Sequence, residues 1–306
     1  MEPSYYAELF GIIQECQNCQ IFQNETLAPY TSFRIGGDAD VLVLPETIAD
    51  FLKIIHFVTE HKIPYKIIGN ASNLLIDDCG FRGVVIKTTS LERVSVDQNI
   101  LVAECGASLA RCARRALESS CSGFERLGGI PGTVGGALAM NAGAFETEIA
   151  DILLSVTLYD TLTRQTTVLT REQLSFGYRS SMITDRRYIA LSASFSLVSR
   201  PKEEILSEMK TCMERRRSTQ PLNLPSAGSV FKRPPNDYAG RLIEAAGLKG
   251  TRIGDAEVSC KHAGFIVNRG NATAEDVKAL IRLVQQRVRE MSDVLLVCEI
   301  EILSEG

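Results

Sequence analysis

The sequence contains little of what marks metalloproteins, nucleic-acid-binding proteins and membrane proteins. It has no tryptophan, three histidines and a formal net charge of -4 over 306 residues. So few histidines provide no cluster of metal ligands, and we predict no metal site. The small negative charge gives no general attraction to nucleic acid or to an anionic membrane. Any phosphate-bearing ligand must therefore be held by local backbone amides and a few well-placed cations.

Segments that direct a chain into or across a membrane are also missing. No apolar run reaches the ~20 residues that span a bilayer, and the acidic first eight residues do not resemble a signal peptide. The nine cysteines are odd in number and spread along the chain, unlike a disulfide framework. Cys16 and Cys19 form a C-x-x-C without a second pair, which is weak evidence for zinc or redox chemistry. We predict a cytoplasmic, monomeric protein that binds small molecules, with no nucleic-acid partner and no membrane insertion.

Short apolar runs alternate with amphipathic segments along the chain. The predicted helices cover residues 4–20, 48–61, 108–119, 202–217, 238–247 and 274–291, and the predicted strands cover 40–44, 65–68, 84–87, 100–103, 153–159, 166–169, 188–198 and 294–303. Thr47 is expected to cap the second helix. We divide the chain into an N-terminal helix (1–24), two segments that mix helix and strand (25–90 and 91–200) and a C-terminal segment (201–306).

Residues 128–144 are nearly all small, and six of them are glycine. Successive exposed N–H groups before a helix would attract an anion such as a pyrophosphate. The same residues could equally form a tight turn before a small-residue helix that packs on a sheet. This stretch alone does not decide between the two interpretations.

Two familiar nucleotide-binding patterns are absent from the glycine-rich stretches. A P-loop needs Lys-[Ser/Thr] after its glycines, and a dinucleotide-binding Rossmann motif needs G-x-G-x-x-G between strand and helix; neither occurs. Instead, residues 69–74 and 129–143 lie in two successive segments. Two such backbone loops could hold one long diphosphate ligand from both sides, and a flavin dinucleotide is long enough to need both.

Five motifs occur in an order that resembles one enzyme family. They are Thr31-Ser-Phe-Arg-Ile-Gly-Gly, Gly69-Asn-Ala-Ser-Asn-Leu-Leu, Gly129-Ile-Pro-Gly-Thr-Val-Gly-Gly-Ala, Phe176-Gly-Tyr-Arg-Ser-Ser and Gly228-Ser-Val-Phe-Lys-Arg-Pro. Together with Lys261-His-Ala-Gly-Phe-Ile-Val-Asn, they closely resemble the UDP-N-acetylenolpyruvoylglucosamine reductases of bacterial peptidoglycan precursor synthesis. The resemblance implies an α+β fold, with a two-lobed FAD-binding domain of the vanillyl-alcohol-oxidase (PCMH) type in residues 25–90 and 91–200. A C-terminal α+β substrate-binding domain would follow in 201–306.

The resemblance also implies a reaction in two halves. NADPH reduces a non-covalent FAD, and hydride then passes to the enolpyruvyl methylene carbon of a UDP-linked sugar before a proton completes the product. One type of family member carries an additional tyrosine-bearing loop. The chain between Arg179 and the strand predicted at 188 leaves little room for that loop, so the shorter type is favoured.

The resemblance assigns three catalytic residues. Hydride addition puts negative charge on the substrate carboxylate, which must be stabilised before a proton is delivered to the adjacent carbon. Arg179 matches the arginine at the carboxylate, Ser229 the proton donor, and Glu299 the glutamate that works with the arginine. We expect Tyr178, Lys232 and Arg233 to bind substrate, the last two at its diphosphate.

The FAD-binding residues implied by the resemblance lie in the two glycine-bearing loops. They are Gly69, Asn70, Ala71, Ser72, Asn73, Leu74, Gly129, Ile130, Pro131, Gly132, Thr133, Gly135, Gly136, Asn141 and Gly143. The Ile130-Pro131 step is expected near the isoalloxazine ring. A flavin oxidase acting on an alcohol or another sugar, and a flavin-binding regulatory module without turnover, are the alternatives.

Three positions depart from the family pattern. Ala71 stands where glycine is more common, and its methyl group adds strain if its φ is positive. Cys298 replaces a common proline, and Glu301 replaces a common basic residue. On a strand Glu299 and Glu301 would share a face, so either could reach the site, and the motif register favours Glu299.

Overall fold

A computed structural model of the chain describes residues 3–14, 16, 19–184 and 187–304. The helices are α1 (Pro3–Gln14), α2 (Ile48–Glu60), α3 (Leu109–Glu118), α4 (Val134–Ala139), α5 (Ile149–Ile152), α6 (Lys202–Thr219), α7 (Ala239–Ala245) and α8 (Ala274–Ser292). Single turns of 3-10 helix cover Ala28–Tyr30, Arg171–Leu174 and Met182–Thr184.

The strands are short and more numerous than the sequence predicted. They are β1 (Gln20–Thr26), β2 (Asp38–Leu44), β3 (Tyr65–Ile68), β4 (Leu74–Ile76), β5 (Phe81–Lys87), β6 (Val94–Asp97), β7 (Ile100–Glu104), β8 (Cys121–Ser122), β9 (Gly143–Ala144), β10 (Thr147–Glu148), β11 (Leu153–Asp160), β12 (Gln165–Thr170), β13 (Tyr188–Ser196), β14 (Val198–Ser199), β15 (Ser226–Ser229), β16 (Arg252–Ile253), β17 (Ala256–Val258), β18 (Phe265–Asn268) and β19 (Glu301–Leu303). The larger sheets have the strand orders β1-β2-β5-β3, β12-β11-β13-β7-β6 and β15-β18-β17-β16. The smaller ones pair β10 with β9, β14 with β8 and β19 with β4.

Two predicted helices test the capping and spacing patterns of the sequence. Thr47 caps α2 as expected, because its side chain accepts a hydrogen bond from the amide of Asp50 at 3.1 Å. The apolar spacing of the last predicted helix places Val277, Leu280, Ile281, Val284, Val288 and Met291 on one face. The first five of these are buried in α8, whereas Met291 is 48% exposed and lies outside that face. The first helix is shorter than predicted, since α1 ends at Gln14 and strand β1 begins at Gln20.

The strand predicted over 294–303 is wrong for most of its length. Only Glu301–Leu303 forms a strand, and Cys298 makes a single isolated bridge to Phe231. The reason is that this segment changes partners. The amide of Glu299 donates to Val230 O at 2.7 Å, whereas β19 pairs in parallel with β4. An apolar run can therefore have an extended backbone without forming one continuous strand, because its hydrogen-bonding partner changes along its length.

The chain forms two compact units. Unit 1 comprises Met1–Phe22, Val41–Asn70 and Gly83–Arg215; unit 2 comprises Gln23–Asp40, Ala71–Arg82 and Arg216–Gly306. The core of unit 1 includes the edge-to-face ring pair Phe124 and Phe195, with centroids 5.1 Å apart. The core of unit 2 lies between α7, α8 and the sheet of β15 to β18. The domain boundaries expected from the sequence remain predictions.

Two further properties concern only the described residues. None of their helices combines the length and the apolarity needed to cross a bilayer. Nor do they bring together three His, Cys, Asp or Glu side chains that could hold a metal ion.

Candidate active site

In unit 1 the loop that follows β3 packs on the glycine-rich stretch. A Cβ placed on Gly69 would lie 2.1 Å from Thr133 Oγ1, so only glycine fits there. The next residue, Asn70, donates from Nδ2 to Pro131 O at 3.2 Å. The two loops that the sequence singled out therefore touch each other through these residues.

The helix predicted after the glycine-rich turn is present as α4. Thr133 is its N-cap, and its hydroxyl accepts from the amide of Gly136 at 3.5 Å. The amides of Val134 and Gly135 donate to carbonyls of residues 107 and 105 at 2.8 and 2.7 Å. The N–H groups at 134–136 are thus bonded inside the protein, which supports the tight-turn interpretation for this half of the stretch.

Other amides of the two loops point to a ligand. In the part of the chain that the structure describes, no protein acceptor is hydrogen-bonded to the N–H groups of Gly129, Gly132 and Thr133 in unit 1. In unit 2 the same holds for the N–H groups of residues 71–73. Amides left without protein acceptors at glycine-bearing turns suit the oxygens of a diphosphate.

In unit 2 Asn73 fixes the segment that contains Glu299. Asn73 Nδ2 donates to Glu299 O at 3.1 Å, and Asn73 O accepts from the amide of Glu301 at 2.9 Å. The parallel pairing of Leu74 with Glu301 continues this contact into β4 and β19. A loop expected to bind FAD is therefore bonded directly to the backbone of a residue expected to be catalytic.

Ser229 lies beside the same segment. It ends β15, where Gly228 has a φ of +79° that favours glycine, and Val230 O accepts from the amide of Glu299 at 2.7 Å. The backbone of Glu299 is therefore hydrogen-bonded to the residue that follows Ser229.

Glu299 is half-buried and Glu301 is exposed. Because Glu299 precedes the strand, the expectation that both side chains share a strand face does not apply.

Ala71 has the positive φ that the sequence identified as the unfavourable case. Its φ is +47° and it is buried, so the methyl group stands in a left-handed conformation that costs an L-residue about 1–2 kcal/mol. Ser32 helps to hold this backbone, since its hydroxyl lies 3.3 Å from Ala71 O and 2.7 Å from Ser226 O. Ser32 comes from the first family motif, to which sequence reasoning assigned no role.

Arg179 lies in a turn of unit 1 that Asn141 holds by a hydrogen bond. The turn is closed by a bridge between Gly177 and Ser180, Arg179 has a φ of +54°, and its guanidinium carbon lies 5.1 Å from the centre of the Tyr178 ring. Asn141 Nδ2 donates to Gly177 O at 3.1 Å. The Asn141 side chain, expected at FAD, therefore positions the arginine turn.

Residues expected at the substrate diphosphate differ in their surroundings. The amide of Lys232 donates to a carbonyl at 2.8 Å in the 294–300 segment, which fixes its backbone. Arg233 stacks on the exposed ring of Tyr238, with its guanidinium carbon 4.1 Å from the ring centre. Sequence reasoning did not single out Tyr238.

Sequence reasoning missed two further residues that donate hydrogen bonds to loop carbonyls. Lys87 ends β5, and its Nζ donates to Gly69 O at 2.9 Å, while burial lowers its pKa to about 8. Asn268 is buried and donates from Nδ2 to Phe33 O at 3.2 Å, which holds the turn of the first motif in unit 2. Asn268 closes a motif that the sequence did contain, whereas nothing in the sequence pairs Lys87 with Gly69.

Comparison with known proteins matches two parts of the chain to family models. A family model for an FAD-binding domain matches residues 39–167, and a model for the C-terminal domain of UDP-N-acetylenolpyruvoylglucosamine reductase matches 220–303. The reductase of that name from Caldanaerobacter subterraneus is 46% identical over 94% of both chains, and that of Clostridium novyi is 43% identical over 94% of this chain and 93% of its own. The crystal structure of the enzyme from Thermus caldophilus is 36% identical, has a TM-score of 0.79, and is matched over 94% of this chain and 99% of its own.

Proposed function

This chain belongs to the UDP-N-acetylenolpyruvoylglucosamine reductase family, an FAD-dependent oxidoreductase family, and on that premise we propose its reaction and the roles of its residues. The reaction is the NADPH-dependent reduction of UDP-N-acetyl-3-O-(1-carboxyvinyl)glucosamine to UDP-N-acetylmuramate. The structural observation that most supports it is the pair of hydrogen bonds that join Asn73 of the proposed flavin loop to the backbone of Glu299 and Glu301. A flavin oxidase of a different substrate would keep both flavin loops but has no need for the set of Arg179, Ser229 and Glu299.

The residues of both loops fit a bound FAD. The amides at 71–73 and those of Gly129, Gly132 and Thr133 are the proposed donors to its diphosphate, because they are not used within the described protein. When bound, FAD supplies the hydride-transfer chemistry between NADPH and the substrate. The remaining loop residues shape the space around it, and the amides at 134–136 stabilise the start of α4 instead.

Arg179 is proposed to bind the substrate carboxylate. When hydride adds to the methylene carbon, negative charge develops on that carboxylate, and a guanidinium fork donates two parallel hydrogen bonds to it. The positive φ of Arg179 and the anchoring of its turn by Asn141 hold the arginine backbone in one conformation. Glu299 is proposed to assist the arginine in polarising this group.

Ser229 is proposed to donate the proton to the carbon next to the carboxylate. A hydroxyl is a weak acid, so it can act only when its position is fixed against a carbanion-like carbon. The left-handed turn at Gly228 and the hydrogen bond from the amide of Glu299 to Val230 O fix the backbone on both sides of Ser229. Tyr178, Lys232 and Arg233 are proposed substrate contacts, and the enzyme is proposed to be a cytoplasmic monomer.

An anaerobic assay of the two half-reactions tests the proposal. The purified, flavin-loaded protein is first bleached with one equivalent of NADPH, and the enolpyruvyl UDP-sugar is then added without oxygen. We expect the flavin absorbance to return and UDP-N-acetylmuramate to form in equal amount. If the reduced protein is reoxidised only when oxygen is admitted, the chain is a flavin oxidase and the proposed reaction is wrong.

A further inference from the structure

Lys87 stands where a cation is costly to place. It is the last residue of β5 and pairs with Ile68, the residue before the Gly69 loop, in the parallel ladder with β3. Its ammonium is half-buried and donates to Gly69 O at 2.9 Å. Burial of an ammonium disfavours its charged form, as the lowered pKa of Lys87 shows. The other cation on the neighbouring strand, Lys66, pairs with Val85 two positions earlier.

The Lys87 ammonium is bonded to one of the two loops expected to bind the diphosphate. Gly69 contacts Thr133, and Asn70 is tied to Pro131, so the ammonium is bonded to the loop that packs on the glycine-rich stretch of unit 1. In the described residues of that stretch, the amides of Gly129 and Thr133 have no protein acceptor. A carbonyl turned toward an anion would oppose its binding, and Lys87 engages the carbonyl of Gly69.

We propose that Lys87 is a positioning residue for the FAD diphosphate. Its ammonium holds the Gly69 carbonyl, which orients the amides that follow, and adds a positive charge to a loop that otherwise offers only neutral donors. This inference rests on the proposed assignment of the Gly69–Leu74 loop to FAD. It concerns the phosphate-bearing part of the cofactor and not its flavin ring.

Flavin binding to the protein stripped of FAD tests the inference. Flavin fluorescence would give the Kd for FAD and for riboflavin, which has the same ring but no phosphate. For Lys87→Met we expect the Kd for FAD to rise about tenfold or more, as for loss of a charge-assisted contact, with the Kd for riboflavin within about twofold of wild type. Lys87→Arg should bind FAD within about threefold of wild type, because it retains the charge. Lys53→Met, which removes an exposed lysine of α2, is the matched control and should change neither.

Each other outcome overturns a defined part of the reasoning. If Lys87→Met weakens FAD and riboflavin equally, the lysine only supports packing, and the inference is wrong. If Lys87→Met leaves the Kd for FAD unchanged while Asn70→Ala raises it, the loop binds FAD without help from Lys87. If neither variant changes it, the assignment of the loop itself fails. Should Lys87→Met not fold, Lys87→Gln keeps a donor for Gly69 O without the charge, and an unchanged FAD affinity in that variant would again refute the inference.

Discussion

Replacing Gly69 by alanine tests whether the two loops are held together by a close contact. The added methyl carbon would lie 2.1 Å from Thr133 Oγ1 and 2.9 Å from Thr133 Cγ2. The φ of Gly69 is not in the left-handed region, so the collision and not the backbone sets the cost. Thr133 is buried and caps α4, so it cannot turn away without losing that cap. We expect about 1–3 kcal/mol for overpacking and about 1 kcal/mol for the cap, together about 2–4 kcal/mol of unfolding free energy.

A double-mutant cycle separates this contact from other effects of the substitution. Thr133→Gly removes all three side-chain atoms that the methyl group would meet, and glycine is itself an acceptable N-cap. Adding Gly69→Ala to Thr133→Gly should therefore cost no more than about 1 kcal/mol. The resulting coupling free energy is about 2–3 kcal/mol, well above the deviation seen for independent sites. Urea unfolding of the four proteins without FAD measures it.

Gly136→Ala is the matched control for this cycle. Its added Cβ would lie 3.6 Å from Thr133 Oγ1, an ordinary contact, and alanine suits the interior of α4 better than glycine does. We expect unchanged or slightly higher stability. Additive costs in the cycle, or an equal loss of stability in Gly136→Ala, would show that the Gly69 contact is not what excludes a side chain.

The remaining predictions concern catalysis and pH. Ser229→Ala should leave flavin reduction by NADPH intact and slow the reoxidation by the enolpyruvyl substrate by about 100-fold or more in stopped-flow absorbance, since only that half needs the proton; equal losses in both halves would indicate a structural role. Glu299→Gln should reduce kcat more than Glu301→Gln does, and the reverse ranking in steady-state assays would contradict the register of this segment. The Arg187 guanidinium beside Asp160 lowers the pKa of that carboxyl to about 2. A lowered carboxyl pKa stabilises the fold above the unfolded value near 3.8 and ceases to do so as pH falls through about 2, so Arg187→Met should lower the urea midpoint at neutral pH and the difference should shrink below about pH 4. A difference independent of pH would assign the effect to packing.

Local patterns predicted the elements that depend on local physics. The cap at Thr47 and the apolar face of α8 follow from hydrogen bonding and spacing within one helix. The cap is confirmed, and the face is confirmed except at Met291. The family motifs located the glycine-bearing loops and Ser229. They did not show which amides of the glycine-rich stretch are used inside the protein, because the acceptors at residues 105 and 107 lie outside it.

What the sequence could not provide are contacts between residues distant along the chain. An apolar run at 294–303 resembles one strand, but its partners change from the segment after β15 to β4. The spacing of apolar residues along the sequence does not reveal such a change of partner. The bond from Lys87 to Gly69 O is equally invisible, since a lysine at the end of a strand most often lies in solvent.

Because β19 is the last strand to be translated, its pairing with β4 can form only when synthesis of the chain is nearly finished. Asn73 and Glu299 are 226 residues apart, so the loop emerges from the ribosome long before the segment that bonds to it. Until residues 301–303 are translated, β4 lacks the pairing described here, and Asn73 O lacks the hydrogen bond from the amide of Glu301. A nascent or truncated chain that ends before Glu299 would contain every glycine of both loops and still lack both hydrogen bonds that join Asn73 to the last segment. Cofactor capture by this loop is therefore expected to be a late, post-translational event.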